Sequence, residues 1–471
     1  MIETNAEAHE RFSPVPHEID SGRPVHPCDD AFCVPPEGFQ TCAPGTVLRS
    51  REVKLAFLGL VPQAVRAYQL LYRTTDFNGS AQTTLTTIIR PRGAHADPAG
   101  PVLSYQCAID ALASSAFPSY VLRRRAKTFG GCTPFEYLLI ACALSKGWTV
   151  LVPDHEGARG SWGVPREPGY CVLDGIRAAK SFDPAGIGHA APVALWGYSG
   201  GGLATSWAAE LWKSYAPELN VVGAVLGSPV ADPGEVFHDL NGTVFAGEPA
   251  LVLASLAREY PDLKRIVHTH VNARGQAVLE RLQHATLFGA LIRYSFRDFG
   301  RYLDRPVDEI FAMPEVVEMI DDLRLGSQAP AMPLLIVQAV HDPIIDVRHI
   351  DALVDNYTRH GAQVTYLRDR LSEHAVLHPL STPTALQWVS DRFDDKPVET
   401  PTTSNTMLVF SARALIGLLW MGWVTLRVMF GRSLPGRRQR RDAKRFKRRA
   451  GQPRSYPSAR PAERDSSPRH W

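Results

Sequence analysis

The chain has 471 residues, of which 45% are hydrophobic, 9% aromatic and 21% charged. This composition is typical of globular proteins and excludes a fibrous or wholly disordered chain, and the length allows a large hydrophobic core. The net charge of +3 hides a division, because residues 432–471 hold 14 of the 51 basic side chains and three of the 48 acidic ones. The preceding body is acidic, so we expect no nucleic-acid partner.

Residues 1–40 are rich in proline and acidic residues, lack hydrophobic periodicity and predict an arm over the body. The N-terminus has neither a basic region nor an apolar run, so no signal peptide is expected. Seven cysteines are too few for a disulfide framework, which favours a reducing compartment. Cys28 and Cys33 have no second cysteine pair, and we predict no zinc, no other metal and no cofactor.

The segments after the arm predict an α/β fold. Residues 45–90 contain β-rich runs broken by a turn at Asn78-Gly79, which indicates an antiparallel start to a sheet. Strand-like runs then alternate with helical patterns, as parallel strands joined by helices do. These runs are Val102–Tyr105, Trp148–Pro153, Val193–Trp196, Val221–Leu226, Leu334–Ala339 and Val364–Leu367. We assign residues 41–230 and 331–398 to the two parts of one α/β core.

The alternation stops between residues 231 and 330, where the patterns are helical, as in Pro249–Glu259 and Gln276–Phe288. A crossover between neighbouring parallel strands needs only a dozen residues or somewhat more, so this segment is longer than a connection requires. We predict a helical cap at residues 231–330. Its apolar runs, such as Ala285–Ile292, are expected to supply a pocket.

The C-terminal part consists of a linker at residues 399–406, a hydrophobic segment at 407–430 and a basic tail at 431–471 that is expected to be disordered. The apolar or small stretch from Ala414 to Leu426 is shorter than the roughly 20 residues that span a bilayer. Spanning and in-plane insertion therefore both stay open. We predict attachment to a membrane surface through residues 407–449, on the cytoplasmic face that a basic tail favours.

The strongest chemical signal is Gly197-Tyr198-Ser199-Gly200-Gly201, which fits the G-x-S-x-G nucleophile elbow. A strand-like run precedes it and a helical pattern follows it, as the motif requires. Glycines are needed because a side chain at position 197 or 201 would crowd the sharp turn. We predict that Ser199 is a catalytic nucleophile.

A serine nucleophile needs a histidine base, and the histidine needs a carboxylate that fixes its tautomer. The expected chain order is serine, acid, histidine. Asp342 follows a strand-like run directly and is favoured over Asp346, which could equally cap the next helix. His374 follows the last strand-like run and is favoured over His378.

The reaction also needs two hydrogen-bond donors for the oxyanion of the tetrahedral intermediate. One is the backbone N–H of Gly200, the residue after the nucleophile. The other is expected from the loop after the run Val102–Tyr105, at residues 106–110.

Several separated segments between about residue 44 and residue 398 resemble the secretory lipase family. They are Tyr72-Arg73-Thr74-Thr75, Ser104-Tyr105-Gln106 with Asp110, residues 152–157, residues 173–179, residues 197–202, and Asp342 with His374. The resemblance implies an α/β-hydrolase fold with a helical cap, and a triad of Ser199, Asp342 and His374. It also implies an oxyanion hole at Asp110 and Gly200, which we expect to use their N–H groups.

These observations together predict a serine carboxyl-ester hydrolase that acts on triacylglycerols or related lipid esters. Acyl transfer to an alcohol would use the same triad and is one alternative. A catalytically inactive scaffold of the same fold, tethered at a membrane by its C-terminal part, is an alternative of another class.

Overall fold

The fold is described from a computed structural model that covers residues 22–93, 97–398 and 402–434, with the side chain of Arg413 excepted. Residues 1–21 of the predicted arm and residues 435–471 of the predicted tail lie outside the described residues. The rest of the arm contains two short 3-10 turns, Ala31–Cys33 and Phe39–Thr41. Arg51 of the first strand donates to the carboxylate of Asp30 at 2.7 Å, which ties this part of the arm to the sheet.

Within the described residues, ten strands form one mixed sheet and two short strands, β2 (Ala56–Phe57) and β3 (Val61–Pro62), form a separate hairpin. The strands of the large sheet are β1 (Val47–Val53), β4 (Val65–Thr75), β5 (Ala81–Pro91), β6 (Val102–Gln106), β7 (Thr149–Pro153), β8 (Val193–Tyr198), β9 (Val221–Gly227), β10 (Leu334–Ala339), β11 (Val364–Asp369) and β12 (Thr402–Thr406). Their order across the sheet is β1-β4-β5-β7-β6-β8-β9-β10-β11-β12.

The pairing changes from antiparallel to parallel across this sheet. Strands β1, β4, β5 and β7 pair antiparallel, and the strands from β7 through β6 to β12 pair parallel. Every residue of β8 is buried, as expected of a strand covered on both faces. Because the carboxyl ends of parallel strands share one edge, the loops after β6, β8, β10 and β11 meet there.

Helices cover both faces of the sheet. In chain order the helices are α1 (Pro118–Val121), α2 (Thr133–Ser145), α3 (Glu167–Ser181), α4 (Gly200–Tyr215), α5 (Pro233–Leu240), α6 (Gly247–Glu259), α7 (Pro261–His270), α8 (Ala273–Leu282), α9 (Leu287–Tyr294), α10 (Val307–Phe311), α11 (Pro314–Leu323), α12 (Val347–Arg359), α13 (His374–Phe393) and α14 (Ala412–Met429). Buried side chains of α3, α4 and α12 share one core cluster, and those of α2, α13 and α14 share another. The sheet is therefore the middle of three layers.

Helices α5 to α11 form the inserted cap between β9 and β10. The cap has a hydrophobic core of its own, in which Leu251, Ile266 and Leu282 are buried. The predicted helix over residues 276–288 is two helices, α8 and α9, because the hydroxyl of Thr286 caps α9 and starts a new helix there.

Residues 402–406, assigned above to a linker, form the edge strand β12, which pairs parallel with β11. This correction has a physical reason, because threonine favours strands and the edge of β11 offers unpaired backbone groups. The predicted hydrophobic segment at 407–430 forms a 3-10 turn and α14, which packs against α2 and α13. Among the described residues, no helix combines the length and the hydropathy needed to cross a lipid bilayer.

Candidate active site

Ser199 lies at a strained turn between β8 and α4. Its backbone angles are φ 55° and ψ −122°, a region that side-chain-bearing residues rarely adopt. A Cβ atom at Gly197 would lie 2.1 Å from the carbonyl oxygen of Gly201, and one at Gly201 would lie 2.1 Å from that of Gln106. The two glycines are therefore required sterically, and the turn presents Ser199 at the carboxyl edge of the sheet.

His374 bridges Ser199 and Asp342. Its Nε2 lies 2.9 Å from Oγ of Ser199, and its Nδ1 lies 2.7 Å from Oδ2 of Asp342. His374 is the first residue of α13, and Asp342 follows β10, so two neighbouring strands deliver the pair to the same edge. The arrangement is that of a nucleophile, a base and an orienting acid.

Asp342 is held by several donors besides the imidazole. Its Oδ1 accepts the backbone N–H groups of Ile344 and Ile345, both at 2.9 Å, and its Oδ2 accepts Nε2 of Gln338 at 3.1 Å. The side chain is fully buried. These bonds fix the carboxylate in the orientation that selects the Nδ1–H tautomer of His374.

The surroundings of His374 raise its pKa. Burial alone would lower the pKa, because it disfavours the charged imidazolium. The hydrogen bond and charge of Asp342, with the charges of Glu248 and Asp110, outweigh the burial. The imidazole therefore accepts a proton more readily than a free histidine.

The rival residues lie outside this arrangement. Asp346 caps α12 by accepting the backbone N–H of Arg348 at 2.8 Å. His378 stacks on Tyr198, with ring centroids 4.2 Å apart, and shares a hydrogen bond of 3.1 Å with the hydroxyl of Tyr105. Burial and the nearby His374 lower the pKa of His378 to about 3, so it stays neutral.

The loop after β6 brings Asp110 to the site, but its backbone N–H is not turned toward the serine. That N–H donates to Oε1 of Glu156 at 3.2 Å, which corrects the expectation of an N–H donor at this position. The side-chain Oδ1 of Asp110 is instead buried and has no hydrogen-bond partner among the described residues. It lies against Gly200, since a Cβ there would be 1.8 Å from it.

The two candidate oxyanion groups therefore differ in kind. The N–H of Gly200 is in the first turn of α4, where backbone donors have no partner within the helix. Burial raises the pKa of Asp110 to about 7, against the opposing influence of His374, so a protonated carboxyl that can donate exists near neutral pH.

One carboxyl beside the site was not anticipated from the sequence. Glu248 belongs to the first turn of α6 in the cap and lines the cavity above Ser199. Burial, reinforced by the charge of Asp110, raises its pKa to about 8. An isolated glutamate in a helical segment has no sequence signature, and only the placement of the cap over the core reveals it.

An apolar cavity extends from Ser199 under the cap. Its apolar walls come from helices α5, α6, α7 and α11 and include Val236, Val252, Ile266, Val267 and Met319. The run Ala285–Ile292, expected to supply a pocket, is not part of this lining. Leu287 and Ala290 of that run are buried in the core of the cap, because α9 packs inward on α6.

Comparisons with known proteins agree on one family. A family model described as secretory lipase matches residues 122–400. A Mycobacterium tuberculosis protein (strain CDC 1551) named a "probable inactive lipase" is 52% identical over 416 residues, which cover 88% of this chain and 93% of that protein. Lipase A of Arthroderma benhamiae is 34% identical over 399 residues, covering 82% of this chain and 84% of its own length.

A solved structure gives the same result. The crystal structure of Candida antarctica lipase A superposes with a TM-score of 0.76 at 26% identity, covering 88% of this chain and 98% of that enzyme.

Proposed function

The chain belongs to the secretory lipase family and has the α/β-hydrolase fold, and from this premise we propose that it is a serine carboxyl-ester hydrolase acting on lipid esters such as acyl glycerols. The observation that carries the proposal is His374, which lies within hydrogen-bond distance of both Ser199 and Asp342. A serine without this partner would be a poor nucleophile.

In the proposed mechanism Oγ of Ser199 attacks the ester carbonyl carbon while Nε2 of His374 takes the hydroxyl proton. Asp342 stabilises the imidazolium that forms. The N–H of Gly200 and the protonated carboxyl of Asp110 donate to the oxyanion. The intermediate collapses when His374 returns the proton to the leaving alcohol, and water then releases the acid from the acyl-enzyme by the same steps.

The cavity supports a substrate with a long apolar acyl group. Its walls are mostly aliphatic and aromatic, with Glu248 and His270 among the lining residues, and they begin at Ser199 itself. An acyl chain would therefore leave water as its carbonyl reaches the nucleophile. Glu248, with a raised pKa, is neutral over most of the pH range in which the enzyme would work. A neutral carboxyl beside an alkyl chain costs less free energy than a carboxylate would.

An inactive protein of this fold is the second candidate, because a relative 52% identical is named a probable inactive lipase. The two candidates differ in one measurable property. A fluorophosphonate probe labels only an activated serine, so labelling that disappears in Ser199→Ala supports the hydrolase. Absence of labelling in the folded wild-type protein would favour the inactive protein.

The direct test is turnover of p-nitrophenyl esters over a series of acyl chain lengths. We expect Ser199→Ala to abolish hydrolysis without loss of the fold, and Ser214→Ala, at the far end of the same helix, to leave hydrolysis unchanged. Unchanged turnover in Ser199→Ala would refute the assignment. Product analysis with an added alcohol separates hydrolysis from acyl transfer.

The family is described as secretory, and this precedent gives no support to the cytoplasmic face predicted from the basic tail. Attachment of the C-terminal part to an anionic lipid surface would not depend on which side of a membrane presents that surface.

A further inference from the structure

Helix α14 has an outer face that is entirely apolar. Successive residues of a helix are about 100° apart around its axis, and the residues of this face fall within roughly 140° of the helix circumference. They are Ala412, Leu415, Ile416, Leu419, Gly422, Trp423, Leu426, Met429 and, directly after the helix, Phe430, and all of them are exposed. We call this set the outer face of α14. It contains no charged or hydrogen-bonding side chain other than the indole of Trp423.

The opposite side of the helix is already packed on the body. Met421, Val424 and Val428 are buried in the core cluster that α14 shares with α2 and α13. A Cβ added at Gly417 would lie 2.3 Å from the ring of Pro383 in α13, so the two helices are in close contact. Because the inner side is fixed, the outer face cannot be buried by rotation of the helix.

A surface helix of a soluble domain normally has a polar outer face, and α12 is an example in this chain. The exposed positions of α12 include Arg348, Asp355 and Arg359. Helix α14 packs on α2 and α13 rather than on the sheet, and its outer face has no such residues. The charged side chain beside it is Arg427, whose guanidinium lies over the ring of Trp423 at 5.1 Å. Contiguous exposed apolar surface of this kind marks an interaction site.

The charge that follows the helix identifies the partner. Arg432 is two residues beyond Phe430, and residues 432–471 carry 14 basic side chains against three acidic ones. An apolar helix face next to a dense basic segment is the combination that binds the surface of a bilayer with anionic lipids. A protein partner would need an apolar groove for the outer face of α14 and, beside it, acidic side chains for the basic segment.

We propose that the outer face of α14 inserts into the surface of an anionic lipid bilayer, with the helix axis in the membrane plane and the basic segment adding electrostatic attraction. The apolar face is buried among the acyl chains while the inner side keeps its contacts with the body. This proposal goes beyond the hydrolase function and does not depend on it, because neither Ser199 nor the cavity takes part in the contact.

The test is co-sedimentation of the full chain with vesicles of phosphatidylcholine alone and of phosphatidylcholine with about a third phosphatidylglycerol. The test variant carries Ile416→Gln, Leu419→Gln and Leu426→Gln, at side chains 69%, 77% and 55% exposed. The matched control carries Ile292→Gln, Val317→Gln and Val244→Gln, which are 83%, 43% and 43% exposed on the cap. All six positions face solvent, and thermal unfolding verifies that both variants fold.

We expect the wild type and the cap control to bind the anionic vesicles equally, and the α14 variant to bind at least tenfold more weakly. High salt should weaken the binding of the wild type, and neutral vesicles should bind it less. Equal binding of the α14 variant and the wild type would overturn the proposal, as would absence of wild-type binding to anionic vesicles.

Trp423 gives a second readout, since its indole belongs to the outer face. The fluorescence of the wild type should shift to the blue on binding vesicles, and the shift should shrink in Trp423→Phe. Sedimentation velocity without lipid tests the competing occupant, a second copy of the chain. A stable dimer that the α14 substitutions convert to a monomer would overturn the bilayer proposal.

Discussion

Replacing Asp110 tests whether its side chain, rather than its N–H, stabilises the oxyanion. The N–H of Asp110 donates to Glu156, whereas its Oδ1 is buried, has no partner within the described part of the chain and lies against Gly200. If the protonated carboxyl donates, Asp110→Ala removes one of two oxyanion donors. Loss of one such donor lowers kcat by about 10²–10³, or about 3–4 kcal/mol of transition-state stabilisation.

The pH dependence separates this role from a structural one. The wild type needs neutral His374, whose pKa lies above its ordinary value, and protonated Asp110, whose pKa is about 7. Activity should therefore rise with pH as His374 loses its proton and fall with pH as Asp110 loses its proton, the latter near pH 7. Asp110→Asn keeps a donor at every pH, so the alkaline decline should disappear.

The same substitution should change stability with a predictable sign. Burial raises the pKa of Asp110 from 3.8 to about 7, so the folded state binds more protons than the unfolded state between these values. The free energy of unfolding therefore decreases as the pH rises through this window, by about 4 kcal/mol in total at this site. Asp110→Asn should thus be more stable than the wild type at pH 8, and by much less at pH 4.

The assays are kcat and kcat/KM for a soluble p-nitrophenyl ester from pH 5 to 9, and urea unfolding at pH 4, 6 and 8. Two results would refute the reasoning. One is a loss of less than tenfold in kcat for Asp110→Ala. The other is an alkaline decline in Asp110→Asn at the same pH as in the wild type.

Further substitutions test the acid of the triad, the glycines of the elbow and the cavity. Asp342→Asn should lower kcat by about 10³–10⁴ with little change in KM, because it favours the wrong tautomer of His374. Asp346→Asn should change kcat little. Equal effects of the two substitutions would show that Asp342 is not the acid of the triad. Gly201→Ala should prevent formation of the elbow, because its Cβ would lie 2.1 Å from a carbonyl oxygen. In the control variant Gly422→Ala the added Cβ has no atom within 4 Å, so urea unfolding should show a gain in stability of about 0.5–1 kcal/mol. Val252→Trp should shift the preference in the chain-length series toward short acyl groups, and an unchanged preference would place the acyl chain elsewhere than in the cavity.

The turn at Ser199 and the candidate acid and base could be predicted because their signals are a local motif and an expected order along the chain. The glycines around Ser199 encode a turn by themselves, and Asp342 and His374 follow strand-like runs in the expected chain order. The structure places His374 within hydrogen-bond distance of both Ser199 and Asp342.

Other features depend on contacts between distant segments and had no such signal. The direction of the Asp110 N–H is set by Glu156, 46 residues away in the chain. The strand Thr402–Thr406 exists because β11 offers an edge, and composition alone suggested a linker. Helix α14 was read as one apolar segment, because the sequence cannot distinguish apolar residues that pack on the body from apolar residues that face outward.

The backbone at position 199 disfavours any residue with a side chain, by about 1–3 kcal/mol, and glycine would relieve that strain. A protein that did not use this serine in a reaction would gain stability by replacing it with glycine. Ser199 has this strained conformation here and lies within hydrogen-bond distance of His374, which in turn lies within hydrogen-bond distance of Asp342. The proposed hydrolase reaction would require the strained serine, whereas a fold kept only for its shape would not.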